Sequence, residues 1–87
     1  MIFDYDPAKS ASNKEKHGID FEEAAKLWKG KTVSVTLRFP DEQRALVIGR
    51  IGEKHWAAIV TQRGEKLRII SVRRARKKEE QVYEKAK

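Results

Sequence analysis

The sequence predicts an α+β domain with two short N-terminal helices, a four-stranded antiparallel meander sheet and a C-terminal helix. Apolar residues recur at helical spacing before residue 30, alternate with polar ones from residue 33, and return to helical spacing after residue 75. Only short turns separate the segments with strand character, so successive strands must be antiparallel neighbours. A chain of 87 residues has the size of one domain, and we expect residues 1–87 to form one unit.

Both N-terminal helices carry start signals. Asp6 and Pro7 begin the first helix, because Asp accepts hydrogen bonds from free amides and Pro has no amide to leave unpaired. This helix runs to about His17 and stops at Gly18. The second helix begins with a capping box in residues 20–23 and carries an apolar face up to residue 28.

Four strands follow, and a helix closes the chain. Residues 33–39 alternate between apolar and polar side chains, which is typical of a half-buried strand. Residues 44–51, 55–62 and 66–73 form the other three strands, with short turns between them. Apolar positions after residue 75 define one narrow face of the closing helix. We expect the helices to cover one face of the sheet, and residues 2–5 to form either a short extra strand or an N-terminal arm.

The positive charge is concentrated in the second half of the chain. The net charge is +7, but residues 1–43 hold seven Lys and Arg against eight Asp and Glu, whereas residues 44–87 hold thirteen against five. A polyanion is therefore the natural class of partner for the second half.

Composition excludes several kinds of chemistry. The chain has no Cys, which rules out disulfides, thiolate catalysis and Cys-based zinc sites. No spacing typical of a His-based metal site occurs, and we expect no cofactor. The sequence shows neither a leader pattern nor an apolar run near 18 residues, so we expect a cytoplasmic protein without membrane association.

Arginines gather around the last strand. Strict alternation places Ser71 and Arg73 on one side of it, and Arg68 and Arg74 on the other. Their charged ends should meet at the C-terminal edge of the strand, near Arg50 or Arg63 on neighbouring strands. Planar guanidinium groups match phosphate oxygens and stabilise charge that accumulates on phosphorus. The alternative is that these arginines pair with glutamates elsewhere in the fold.

Two histidines and one tyrosine complete the set of residues considered for chemistry. His17, at the end of the first helix, is the candidate acid or base, with a helix C-terminal cap as the alternative. We expect His55 to be a surface residue. Tyr83 lies on the inner face of the last helix and is expected in the core, unless its hydroxyl reaches the site.

Two stretches of the sequence carry specific motifs, and together they cover nearly the whole chain. The first comprises residues 3–9, Asn13 to Gly18 with its Lys-His-Gly element, and residues 21–24. The second comprises residues 42–44, 48–50, Arg63, 67–75 with its Arg-Ile-Ile-Ser run, Glu79 and Tyr83. In combination these stretches resemble the BrnT toxin family. Tyr5 replaces the usual Trp and Val72 the usual Ala, and neither difference removes a charged group.

The resemblance implies a RelE-like fold and the toxin of a type II toxin–antitoxin pair, an endoribonuclease that arrests translation. It also implies a BrnA-like ribbon-helix-helix antitoxin that covers the toxin, so that operator DNA is contacted only through the antitoxin. The active-surface candidates that the resemblance implies are His17, Arg44, Arg50, Arg63, Arg68, Ser71, Arg73 and Arg74, together with Lys14 and Tyr83. Among them we predict catalytic roles for His17, Arg63, Arg68, Ser71, Arg73 and Arg74, and RNA binding for Lys14, Arg44, Arg50 and Tyr83.

We expect RNA cleavage without a metal ion, in which the 2′-hydroxyl attacks the adjacent phosphorus. His17 is the predicted acid or base, with Lys14 as its substitute, while the arginines bind the phosphate and Ser71 donates a hydrogen bond. Two alternatives use the same basic surface. One is a nucleic-acid-binding module that leaves RNA intact, and the other is an interaction module for a protein partner.

Overall fold

Residues 1–86, which this computed structural model describes, form five strands, three α-helices and one 3₁₀ helix. In chain order these are β1 (Ile2–Asp4), α1 (Pro7–His17), α2 (Phe21–Ala24), the 3₁₀ helix (Ala25–Lys29), β2 (Thr32–Arg38), β3 (Gln43–Ile51), β4 (Lys54–Arg63), β5 (Lys66–Arg74) and α3 (Lys77–Lys85).

The strands form one mixed sheet in the order β1-β5-β4-β3-β2. Strands β2 to β5 are the predicted antiparallel meander. The prediction of four strands is wrong, because β1 adds a fifth that runs parallel to β5, with Ile2 opposite Lys66. A parallel neighbour needs a long connection, and everything between β1 and β5 provides it. Of the two alternatives for residues 2–5, the extra strand is the one observed.

The first two helices begin where the sequence predicts. Asp6 accepts a hydrogen bond from the Ala8 amide at 2.9 Å, and Gly18 ends α1 at a left-handed φ of 80°. The capping box of α2 forms in both directions, since the Glu23 amide donates to Asp20 and the Asp20 amide donates to Glu23. The second predicted helix is nevertheless only four residues of α-helix, and it tightens into the 3₁₀ helix.

We call the side of the sheet that packs against α1, α2 and the 3₁₀ helix the core face. Phe21 and Leu27 from the helices are 1% and 0% exposed, and Ile69 of β5 is 1% exposed. Close approach requires a glycine at position 49, because a Cβ there would lie 3.0 Å from Leu27 Cδ2. The main apolar core therefore lies on one side of the sheet.

Helix α3 lies on the opposite side of the sheet, which we call the α3 face. The Tyr83 ring meets the ring of His55 on β4 edge-on, with centroids 5.4 Å apart. Under this helix, Ile48 and Ala57 are 1% and 0% exposed. The expectation that the helices cover a single face is wrong, because α3 is held by side chains of the opposite face.

A β-bulge in β5 changes which side chains share a face. Ile59 pairs with Ser71, but the next residue of β4, Val60, pairs with Ile69, so Ile70 is an extra residue in β5. Ile69 and Val72 both point into the core as a result. Strict alternation predicted Arg68 and Ser71 on opposite sides, and that prediction is wrong, because the bulge brings them to the same side.

The side chain of Asn13 on α1 forms hydrogen bonds with the backbone of β5 next to this bulge. The amide of Val72 donates to Asn13 Oδ1 at 3.2 Å, and Asn13 Nδ2 donates to the Val72 carbonyl at 2.9 Å. The same Nδ2 donates to the Ile19 carbonyl at 2.8 Å. Asn13 is 6% exposed, so one buried amide satisfies three buried backbone groups.

Candidate nucleic-acid interface

Most of the predicted site residues lie on the α3 face. Directly opposite residues of antiparallel strands point to the same side of a sheet. Arg73 is opposite Ala57, and Arg68 is opposite Thr61. The predicted residues that this register assigns to the α3 face are Arg44, Arg50, Arg63, Arg68, Ser71 and Arg73.

A mostly apolar row crosses the middle of the α3 face. It runs from Val35 through Leu46 and Ile59 to Ser71, each opposite the next on the adjacent strand. The Ser71 hydroxyl forms no hydrogen bond within residues 1–86, and the residue is half-buried. Ser71 therefore offers a free donor and acceptor at the β5 end of the row.

Arg73 connects β5 to the first turn of α3. Its Nη1 and Nη2 donate to the two carboxylate oxygens of Glu79 at 2.7 and 2.9 Å. Glu79 also accepts from the Arg76 amide at 2.7 Å, which satisfies a free amide at the start of α3. The hydrogen bond from Arg73 lowers the pKa of Glu79 to about 2 and raises the pKa of Arg73. Arg73 is thus held in place by a structural carboxylate.

Arg68 and Arg44 occupy the other end of the same face. Arg68 Nη1 donates to Asp4 of β1 at 2.7 Å, and this bond lowers the pKa of Asp4. Arg44 donates to Glu42 at 2.9 Å and lies 5.1 Å from the centre of the Phe39 ring. Its bond to Glu42 lowers the pKa of that carboxyl group as well. Each arginine is held by one carboxylate, and about a third of its side chain stays exposed to solvent.

Arg50 and Arg63 are exposed and form no ion pair among residues 1–86. Arg50 is opposite His55, and Arg63 is opposite Lys66. These positions lie near the two ends of β4, about 26 Å apart at 3.3 Å per residue. The prediction that the arginines meet at one edge is therefore wrong: the cations are divided between both ends of the sheet.

Arg74 lies on the other face from Ser71 and Arg73, as alternation predicts. It is opposite Trp56 on the core face, and its guanidinium lies 5.5 Å from the centre of the Trp56 ring. That distance is typical of a cation–π contact.

His17 and Lys14 lie on α1, in the layer that covers the core face. His17 is exposed at the last position of this helix. Lys14 Nζ is 2.6 Å from Glu23, and this pair raises the pKa of Lys14 and lowers that of Glu23. The sheet thus separates both residues from Ser71 and Arg73.

Tyr83 is 4% exposed, as predicted for a core residue, and its hydroxyl donates to the Lys31 carbonyl at 3.1 Å. His55, expected on the surface, has a side chain only 13% exposed. Its Nε2 is 2.8 Å from Glu84, and its Nδ1 is 3.6 Å from Glu80. Glu80 and Glu84 are four residues apart and therefore lie on the same side of α3. This spacing is the sequence signal that could have predicted a contact between α3 and His55.

No three His, Cys, Asp or Glu side chains within residues 1–86 are grouped so that they could hold a metal ion. None of the helices in this part of the chain is long and apolar enough to cross a membrane.

Comparison with known proteins identifies one family. The family model described as the ribonuclease toxin BrnT of type II toxin–antitoxin systems matches residues 5–79. The match begins just after β1 and ends in the first turn of α3, so it includes α1, the whole meander and every predicted site residue except Tyr83. A search of curated proteins found no match.

Proposed function

Because the chain belongs to the BrnT family of ribonuclease toxins of type II toxin–antitoxin systems, we propose that it cleaves RNA on the α3 face without a metal ion. The observation that carries this proposal is the arrangement on β5, where Ser71, with a free hydroxyl, lies between Arg68 and Arg73 on one face. In the reaction the 2′-hydroxyl attacks the adjacent phosphorus, leaving a 2′,3′-cyclic phosphate and a free 5′-hydroxyl.

The arginines have donors left for a phosphate. A guanidinium has five N–H donors. Arg73 uses three of them, two on Glu79 and one on the Arg74 carbonyl, which leaves Nε–H and one Nη2–H without an acceptor among residues 1–86. Arg68 uses one, on Asp4. Fixed donors that meet developing negative charge lower the barrier without reorganisation, so these carboxylates orient the arginines while leaving them able to bind phosphate.

Proton transfer needs a separate group. His17 is the acid or base predicted from the sequence, with Lys14 as its substitute, and His55 is the imidazole that lies on the same face as Ser71. The test compares His17→Gln with His55→Gln, because Gln cannot exchange protons at neutral pH. At position 55, Gln also keeps a hydrogen bond to Glu84. The variant that loses cleavage while keeping its fold identifies the group.

The purified protein should cut a long synthetic RNA in excess EDTA, and the products should carry cyclic phosphate ends. Cleavage that is lost in EDTA and restored by magnesium would contradict the metal-free mechanism. Intact RNA with retained salt-sensitive binding would instead favour the nucleic-acid-binding module, because phosphate contacts alone give steep salt dependence.

The partner that we propose is a BrnA-type ribbon-helix-helix antitoxin, which would bind this toxin in the cytoplasm and connect it to operator DNA. Induction of the toxin should arrest growth, and co-expression of the neighbouring reading frame should relieve the arrest. Failure to obtain either relief or a complex would rule out that partner.

A further inference from the structure

The two edges of the sheet differ in how they are protected. At one edge, β1 is only three residues long, and beyond it Asn13 binds both backbone groups of Val72. At the other edge, β2 extends over seven residues, Thr32–Arg38, and within residues 1–86 it pairs with β3 alone. The outer backbone groups of β2 therefore have no strand partner in the described chain.

The outer edge of β2 lacks the features that usually protect a free strand. Natural edges are shortened, charged, bulged or interrupted by proline. The pairing of β2 with β3 is regular from Thr32 opposite Gly49 to Arg38 opposite Gln43. No proline or charged residue occurs from Thr32 to Leu37. Val35 is 41% exposed, and Phe39, just after the strand, is 48% exposed.

The side chains of β2 define the chemistry of a strand that would fit beside it. Val33, Val35 and Leu37 point to the α3 face, and the residues between them are Ser34 and Thr36. An added strand would place its own side chains next to these, so it needs apolar residues at alternate positions.

Cations flank the edge at both ends. Lys31, whose ammonium group donates to the Ala86 carbonyl at 2.8 Å, directly precedes β2, and Arg38 ends it; neither forms an ion pair within the described residues. A strand that spans this edge would therefore gain from acidic residues at both of its ends.

We propose that the outer edge of β2 binds an extended segment of the neutralising protein partner by strand addition, with alternating apolar residues flanked by acidic ones. Backbone hydrogen bonds supply affinity in this mode of recognition, and alternate side chains supply specificity. The proposal rests on the proposed function in one respect, the existence of such a partner. Strand β2 is three inter-strand spacings, or about 14 Å, from β5, which carries Ser71 and its neighbouring arginines. The two sites can therefore be tested separately.

The test uses a fluorescein-labelled peptide in which three valines alternate with threonines between two pairs of glutamates. Fluorescence anisotropy measures its binding to the full-length protein, and hydrogen exchange locates it. We expect saturable binding below 1 mM and slower amide exchange in residues 32–38. A peptide of the same composition with the three valines adjacent, and one with lysines in place of glutamates, should each bind at least fivefold more weakly.

Val35→Lys places a charge on the edge and should weaken peptide binding at least tenfold. Ile2→Lys is the matched control, because Ile2 is an apolar residue, 55% exposed, on the other edge strand; its binding should stay within twofold of the unsubstituted protein. Equal loss in both variants, absence of binding, or protection outside β2 would overturn the proposal. If Val35→Lys fails to fold, hydrogen exchange of the unsubstituted protein still tests the proposal, because it locates the bound peptide without a variant. A dimer of the free protein that Val35→Lys abolishes would also overturn it, in favour of a second copy at this edge.

RNA cleavage by a second edge variant separates this proposal from the proposed function. Thr36→Lys should weaken peptide binding at least fivefold but cleave RNA like the unsubstituted protein, because Thr36 is exposed on β2 and points away from the α3 face. Peptide binding at β2 by a protein that cuts no RNA would leave the edge proposal standing and refute the nuclease. Cleavage without peptide binding would do the reverse.

Discussion

The two faces of the sheet are attached to their helices by different forces. The core face packs against buried side chains such as Phe21 and Leu27, and one buried amide, Asn13, completes its backbone hydrogen bonds. The α3 face buries only Tyr83 from its helix and relies on the pairs Arg73–Glu79 and His55–Glu84. This small domain therefore obtains its stability mainly on one face and keeps charged groups available on the other.

The largest loss of stability should follow from Asn13→Ala. Three buried backbone groups would lose their partners, and each unsatisfied group costs about 1–3 kcal/mol, so we expect a loss of about 4 kcal/mol. Urea unfolding followed by circular dichroism measures it. Ser12→Ala, on the exposed side of the same helix, is the control and should change the free energy of unfolding by under about 0.5 kcal/mol. A small effect of Asn13→Ala would mean that the core face does not depend on this amide.

A smaller, pH-dependent loss should follow from Glu79→Gln. The pKa of Glu79 is lowered from 4.5 to about 2, so its carboxylate stabilises the fold fully above pH 4.5 and loses this effect as the pH falls towards 2. The stabilisation is about 2 kcal/mol after allowance for solvent around a partly exposed pair. The variant should be less stable by this amount at pH 6 and equal to the unsubstituted protein at pH 2. If the difference in the free energy of unfolding persists at pH 2, the effect of Glu79→Gln comes from packing and not from the charge.

Gly49→Ala tests how tightly the core face is packed. The new Cβ would lie 3.0 Å from Leu27 Cδ2 and 3.4 Å from Thr32 Cγ2, and such overpacking costs about 1–2 kcal/mol. Gly30→Ala is the matched control, since no heavy atom lies within 4 Å of a Cβ at that position. Thermal unfolding of the two variants gives the comparison, and equal melting temperatures would show that Leu27 moves aside freely.

Ser71→Ala should have the smallest effect on stability and a clear effect on activity. Its hydroxyl bonds to nothing in the described chain, so the free energy of unfolding should change by under about 0.5 kcal/mol. RNA cleavage should fall about a hundredfold, as expected for one lost hydrogen bond to a developing charge. Ser34→Ala, on β2, should keep full cleavage. Unchanged cleavage by Ser71→Ala would remove β5 from the active surface.

Much of the fold could be predicted because its signals are local. Asp6, Gly18 and the capping box from Asp20 to Glu23 mark helix ends within a few residues, and they do so as expected. The side taken by α3 and the strand β1 depend on contacts far apart in sequence, such as Ile2 opposite Lys66. Neither leaves a local pattern.

The bulge explains why the site was predicted only in part. One extra residue, Ile70, reverses the alternation before Ser71, so Arg68 joins Arg73 on the α3 face, whereas Arg74 lies on the opposite face as alternation predicts. A sequence pattern cannot show where a strand gains an unpaired residue. Asn13 and Gly18, which belong to the stretch resembling BrnT toxins, have structural tasks here, whereas the role of His17 stays a prediction.

The pairing of β1 with β5 also bears on how the protein is made. Residues 2–4 cannot pair until residues 66–68 have been synthesised, and Asn13 cannot bind Val72 until that residue is present. Contacts of such long sequence separation form late and slow folding. A nascent chain that lacks β5 has neither the pairing partner of β1 nor the arginines of β5 that are proposed to bind phosphate. The sheet therefore cannot close before the ribosome has added β5, which delays any activity of the α3 face until that point of synthesis.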